Sequence, residues 1–134
     1  MTSETRNSTF LYRRALFRDM DFYRIDNIGR SETGFLIDAT VFAGHRIYEG
    51  HFPGQPVVPG VCTLTVIRES ISAALGRKTG FIAIKECKFL SALIPMTDLH
   101  LTLDVTLGAE NRIKCSVVLE DRTVLKLNAT IGDM

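Results

Sequence analysis

The sequence lacks a strong net charge and lacks long apolar runs. Sixteen basic and fifteen acidic residues give a net charge of +1, which argues against binding to nucleic acid or a membrane surface through bulk charge. No apolar stretch reaches the length of about 18 residues typical of a membrane-spanning helix, and the first residues lack the apolar core of a secretory signal. We therefore expect a cytoplasmic protein.

Closely spaced cysteines are also lacking. Cys62, Cys87 and Cys115 form no CxxC or CxxH pair, so the sequence suggests neither a zinc site nor a disulfide framework. We expect all three to be reduced and to act as small apolar residues.

The bulk composition is that of an ordinary globular protein. The 134 residues are 46% hydrophobic and 23% charged, which is enough for one domain with a core of its own. We expect a single domain over residues 1–134. Its first 21 residues have scattered apolar positions and are expected to form a frayed tail and a short turn of helix.

A hairpin is expected near the start of the domain. The pattern becomes strand-like at Phe22, and residues 35–42 are rich in β-branched and aromatic side chains. Between them, residues 31–34 supply turn-forming residues. The two strands should therefore pair.

A loop and a helix follow. Residues 50–60 contain three prolines and three glycines, which excludes regular structure and indicates a loop of fixed shape. Residues 61–75 contain neither, and Gly76 makes a natural helix end. Apolar or small residues cover most of this helix, so we expect it to be buried on nearly all sides.

Four further strands would cover the helix. They are expected at residues 81–90, 99–107, 113–119 and 124–131, with hairpin connections at 108–111 and 120–122. This order predicts an α+β hotdog fold, a curled antiparallel sheet wrapped around a buried central helix.

The segment His51-Phe52-Pro53-Gly54-Gln55-Pro56-Val57-Val58-Pro59-Gly60-Val61 resembles the signature of the beta-hydroxyacyl-[acyl carrier protein] dehydratases of type II fatty acid synthesis. The likeness continues at residues 88–90 and 94–99, and it extends over about residues 22–131. It implies a dimer at least, and a substrate carried by acyl carrier protein.

The resemblance also implies roles for individual residues. His51 would be the catalytic acid/base, the Val57 carbonyl would orient its imidazole, and the Gly60 N–H would polarise the thioester carbonyl. These roles suit an imidazole that titrates near neutral pH and the positive end of a helix dipole, and they need no metal or organic cofactor. The implied substrate-binding set is Phe52, Val57, Gly60, Val61, Leu64 and Thr65, with the acyl chain passing Leu64 and Ile67.

One position departs from the family pattern. The family has a catalytic Glu or Asp fourteen positions after the histidine, and this chain has Thr65 there, which cannot act as a carboxylic acid. Glu69 lies one helical turn further on, about 6 Å along the axis. Glu69 could take over the carboxylate's role, or it could pair with Arg68 as a structural residue.

A threonine at position 65 is also compatible with two further hypotheses. The family builds each site from two subunits, so this chain could pair with a related chain that supplies the carboxylate. It could also be a catalytically degenerate subunit that binds acyl thioesters or stabilises a partner. A hotdog thioesterase is a further alternative, because one fold hosts both chemistries.

The remaining candidates have ordinary interpretations. We expect His45 to be solvated or to have a capping role near the end of a strand, His100 to be exposed on a strand, and Phe89 to pack or to line the substrate tunnel. Some basic residues could contact an acidic acyl carrier protein, namely Arg13, Arg14, Arg77, Lys78, Lys85 and Lys88.

Overall fold

A computed structural model of the chain describes residues 22–48 and 57–134. The N-terminal segment 1–21, His51 and Phe52 lie outside the described residues. The described residues form six strands and one α-helix: β1 Tyr23–Arg30, β2 Gly34–Val41, α1 Gly60–Leu75, β3 Thr79–Phe89, β4 Leu99–Leu107, β5 Arg112–Leu119 and β6 Arg122–Asp133. Short 3-10 turns lie at Arg46–Tyr48 and Ala109–Asn111.

The six strands form one antiparallel sheet in the order β1-β2-β4-β5-β6-β3. The expected first hairpin is confirmed, since β1 pairs with β2 and the Ser31 N–H donates to the Gly34 carbonyl at 3.0 Å. The connection between β5 and β6 turns through Glu120 and Asp121, both with positive φ, as tight hairpins require. The curled sheet and its helix give the predicted hotdog arrangement.

Alternation along the inner strands builds the core. In β4 the side chains of Leu101, Leu103 and Val105 are buried, while Asp104 between them is exposed. The same period of two recurs in β2 and β5, and their buried side chains belong to the same core cluster as those of α1. The largest fully buried side chains include Ile37, Ile67, Ile71, Leu101, Leu103, Ile113 and Leu125.

Helix α1 ends where the sequence predicts and begins one residue earlier than predicted, at Gly60. It begins after Pro59, whose φ of −59° suits a helix start. It ends at Gly76, which adopts a left-handed φ of 73° and donates its N–H to the Ser72 carbonyl, as a C-terminal glycine does. No helix in the described part of the chain is long and apolar enough to cross a membrane.

The burial of α1 differs from the expectation of burial on nearly all sides. One stripe faces the sheet, and the opposite side is more accessible, with Val61 70% exposed. The reason is that the sheet of one chain covers only one side of a helix. The buried stripe consists of Cys62, Thr63, Val66, Ile67, Ser70 and Ile71.

Strand β3 also differs from its sequence pattern. Its apolar residues Ile82, Ile84 and Phe89 are exposed, although the sequence predicts a strand that covers the helix. The sheet order accounts for this difference, because β3 lies at an edge and pairs with β6 alone. The chain thus presents an edge strand with exposed apolar residues in its first half and exposed charged residues, Lys85, Glu86 and Lys88, in its second half.

Candidate active site

Residues 57–59 lead directly into the first turn of α1, and His51 lies before them in the sequence, outside the described residues. Gly60 is the first helical residue, and the Pro59 carbonyl accepts N–H bonds from Cys62 at 2.9 Å and Thr63 at 3.3 Å. The first N–H groups of an α-helix have no acceptor within the helix, and they carry the positive end of its dipole. Gly60 is therefore placed where an N–H could polarise an oxygen.

The end of the loop is attached to the connection between β3 and β4. The Val58 N–H donates to the Leu93 carbonyl at 2.9 Å, and both side chains are buried. Val57, the preceding residue, is half-buried. Its proposed partner His51 lies outside the described residues, so the orienting role of the Val57 carbonyl stays a prediction.

The segment before the loop is also attached to the core. The Tyr48 hydroxyl donates to the Phe42 carbonyl at 2.6 Å. Burial, helped by the nearby Cys62 and Asp98, raises the pKa of Tyr48 to about 12. His45 Nδ1 accepts the Ile47 N–H at 3.0 Å and so caps the 3-10 turn, one of the two roles expected from the sequence.

Thr65 uses its hydroxyl proton within its own helix. Its Oγ1 donates to the Val61 carbonyl at 2.9 Å, so the same proton is not available to a substrate. Leu64 is half-buried and packs against the core, whereas Ile67 is fully buried. The helix surface that a ligand could reach in this chain therefore includes Val61, Leu64 and Thr65, but not Ile67.

Glu69 contacts two other side chains. Its Oε1 accepts a hydrogen bond from the Tyr23 hydroxyl, and its Oε2 lies 3.8 Å from Nη2 of Arg68. The carboxylate is largely shielded, with 18% of the side chain exposed. Sequence reasoning named Arg68 as a partner but missed Tyr23. Tyr23 and Glu69 lie 46 positions apart, and only the packing of β1 on α1 brings them together.

The side chain of Phe89, the last residue of β3, lies next to Gly60 at the start of α1. A methyl group built on the Cα of Gly60 would meet the Phe89 ring. The sequence placed Phe89 only among packing or tunnel-lining residues, and no local pattern could have shown that its neighbour is Gly60.

A separate polar cluster lies on the outer face of β1, β2 and β4. The Thr40 hydroxyl donates to Asp26 Oδ2 at 2.5 Å and contacts His100 Nδ1 at 3.0 Å, and Arg24 Nε donates to Asp26 Oδ1 at 2.5 Å. Burial would raise the pKa of Asp26, but the hydrogen bonds from Thr40 and Arg24 and the charges of Arg24 and His100 lower it on balance. His100 is exposed, as expected.

The remaining candidate residues form surface ion pairs or are free thiols. Arg77 pairs with Asp133, and Lys88 lies 3.3 Å from Glu86. All three cysteines are free, and burial raises the pKa of each thiol, to about 12 for Cys115. No cluster of three metal-binding side chains occurs among the residues that the structure describes.

The sequence matches known dehydratases over most of its length. The model of the ApeI-like family, described as ApeI dehydratase, matches residues 27–126. The 3-hydroxyacyl-[acyl-carrier-protein] dehydratase FabZ of Bacillus subtilis is 29% identical over 122 residues, which cover 83% of this chain and 86% of that protein. FabZ of Lactobacillus helveticus is 25% identical over 116 residues, with 80% and 78% covered.

Solved structures share the fold at lower identity. One chain of the dehydratase heterocomplex ApeI:P from Xenorhabdus doucetiae superposes with a TM-score of 0.65 at 19% identity, covering 81% of this chain and 96% of that one. The PaaI protein from the phenylacetic acid degradation operon of E. coli gives a TM-score of 0.60 at 13% identity, with 97% and 92% covered. These likenesses establish the fold, and the match over residues 27–126 establishes the relationship: the chain belongs to the ApeI-like dehydratase family.

Proposed function

We propose that this protein dehydrates a beta-hydroxyacyl thioester carried by acyl carrier protein to the trans-2-enoyl thioester, with His51 as the acid/base. The observation that carries the proposal is the start of α1 at Gly60, nine positions after His51 in the sequence. A histidine base and the free N–H groups of a helix start are the two groups that proton abstraction next to a carbonyl uses. A cytoplasmic location belongs to the same proposal.

The reaction divides into two proton movements. The neutral His51 imidazole removes the proton alpha to the thioester carbonyl, while the Gly60 N–H and the helix dipole stabilise the negative charge that develops on the carbonyl oxygen. The carbon–oxygen bond to the beta-hydroxyl then breaks, the double bond forms between the alpha and beta carbons, and the hydroxyl leaves as water. A second group must donate the proton to the departing hydroxyl.

The donor of that proton is Glu69 or a carboxylate of another chain. Thr65 cannot be the donor, because a threonine hydroxyl is far too weak an acid. Glu69 lies one turn beyond Thr65, and its contacts with Tyr23 and Arg68 hold the carboxylate in one place. These contacts serve equally well in a purely structural residue.

A heteromeric enzyme is the second candidate, and Thr65 favours it. The solved relative ApeI:P is a dehydratase heterocomplex by its own description. In the corresponding assembly, this chain would contribute His51 and a related chain would contribute the carboxylate. At the extreme, this chain would be a catalytically degenerate subunit that only binds acyl thioesters.

The products of an enoyl thioester assay test the proposed reaction. Crotonyl pantetheine thioester, incubated with the purified protein, should gain one water and keep its thioester, as mass spectrometry would show. Release of the free acid and a thiol would instead identify a thioesterase and contradict the proposal.

The source of the acid is tested by Glu69→Gln, assayed with the chain alone and with a co-expressed related subunit. If Glu69 is the acid, the chain is active alone and Glu69→Gln reduces kcat by about 100-fold or more. If a partner supplies the acid, activity appears only in the mixed complex, and Glu69→Gln leaves that activity within about twofold of wild type.

A further inference from the structure

The ring of Phe89 occupies the space in which a side chain at position 60 would lie. A methyl group built on the Gly60 Cα would be 2.9 Å from Cζ and 3.1 Å from Cε1 of Phe89. Both distances are shorter than ordinary contacts between carbon atoms, which lie at about 3.5–4.0 Å. Gly60 therefore has no room for a side chain while the ring stays where it is.

The backbone on both sides of this ring is fixed by the sheet. Phe89 is the last residue of β3 and lies opposite Leu125 of β6, and the Leu90 N–H donates to the Val124 carbonyl at 2.8 Å. Leu125 and Val124 are buried in the core. The Phe89 side chain is nevertheless 54% exposed, so part of its ring faces the surroundings of the helix start.

We propose that Phe89 is a positioning residue of the dehydratase site, whose ring closes one side of the Gly60 N–H and limits the direction from which a thioester carbonyl can reach it. The inference rests on the dehydratase function proposed above. Position 60 then requires glycine because the Phe89 ring leaves no room for a side chain there, and not only because a substrate must approach the backbone closely.

This position gives the ring two effects on a substrate. It excludes water from one side of the carbonyl oxygen, and a hydrogen bond from Gly60 is stronger where water is excluded. It also leaves little space beside the alpha carbon, which is bonded to that carbonyl. The site should therefore discriminate against thioesters with a branch at the alpha carbon.

The experiment uses four variants of the full chain: Phe89→Ala, Gly60→Ala, the double variant and Leu90→Ala. Each is assayed either alone or with the related subunit, whichever form is active with the wild-type chain. Leu90 is the matched control, since it is the next residue and is exposed to a similar extent, 52%. Each protein is assayed for hydration of crotonyl and of 2-methylcrotonyl pantetheine thioester, with kcat and KM measured separately.

We expect Gly60→Ala to lower kcat/KM for the crotonyl thioester by at least tenfold, and the double variant to regain most of that loss. Phe89→Ala should raise the ratio of 2-methylcrotonyl to crotonyl activity by roughly tenfold, the usual effect of space for one methyl group. Leu90→Ala should leave this ratio unchanged.

Two results would overturn the assignment of Phe89. One is a double variant no more active than Gly60→Ala, which would mean that the substrate alone requires the glycine. The other is an unchanged ratio in Phe89→Ala, a measurement that needs no variant at position 60 to fold. A wild-type protein that hydrates neither thioester, alone or with a related subunit, would instead refute the proposed function.

Discussion

Asp26 shows how this chain stabilises a carboxylate on its outer surface. Thr40 and Arg24 donate to its two oxygens, and the charge of His100 lies nearby. Together these contacts lower the pKa of Asp26 in spite of its partial burial. A lowered pKa means that the folded state binds the proton less readily than the unfolded state does.

The folded protein should therefore lose stability as the pH falls from about 5 through the ordinary range of an aspartate. Asp26→Asn should weaken this dependence, because an amide does not titrate. Denaturant unfolding at pH 7 and pH 3 would measure it, with Asp121→Asn in the exposed β5–β6 turn as the control. If wild type and Asp26→Asn lost the same free energy of unfolding between the two pH values, the role given to the contacts of Asp26 would be contradicted.

At the scale of elements, the sequence allowed most of the fold to be predicted. Gly76 and the loop prolines set the ends of α1, and the alternation in β4 indicated both its bounds and its buried face. The exposure of β3 was missed, because an apolar run such as Phe81, Ile82 and Ala83 cannot show that the strand lies at an edge. The contacts between Tyr23 and Glu69 and between Phe89 and Gly60 were missed because they join distant elements.

The C-terminal end of α1 gives a prediction at this scale. Gly76 has a φ of 73° and no atom near a Cβ built on it, so Gly76→Ala should be destabilising through backbone conformation alone. We expect a loss of about 1 kcal/mol in the free energy of unfolding. Asn tolerates this conformation better than Ala.

Gly76→Asn should accordingly lose less stability than Gly76→Ala in the same chemical denaturation experiment. Equal losses in the two variants, or no loss in either, would show that the left-handed conformation does not determine where α1 ends.

At the scale of the whole molecule, the exposed edge strand β3 supports the proposal of a dimer or higher oligomer. Ile82 is 70% exposed and Ile84 44%, and exposed apolar residues on an unpaired edge favour pairing with another chain. We propose that β3 contributes to the subunit interface. Two chains would then be available to build the shared site that the family resemblance implies.

Ile82→Glu should shift the mass in solution toward that of a monomer, because it places a charge in the proposed interface. Light scattering after size exclusion would measure this, with Lys114→Glu on the exposed face of β5 as a charge-change control. A wild-type monomer, or an unchanged mass in Ile82→Glu, would contradict an interface at β3.

The central claim is that His51 performs the proton transfer at the start of α1. The most direct test compares wild type with His51→Ala in the hydration of crotonyl pantetheine thioester, in the form of the protein that is active as wild type. Loss of an acid/base group predicts a fall in kcat of about 100-fold to 10,000-fold, with the unfolding temperature unchanged. Activity in His51→Ala within a few fold of wild type would contradict the account.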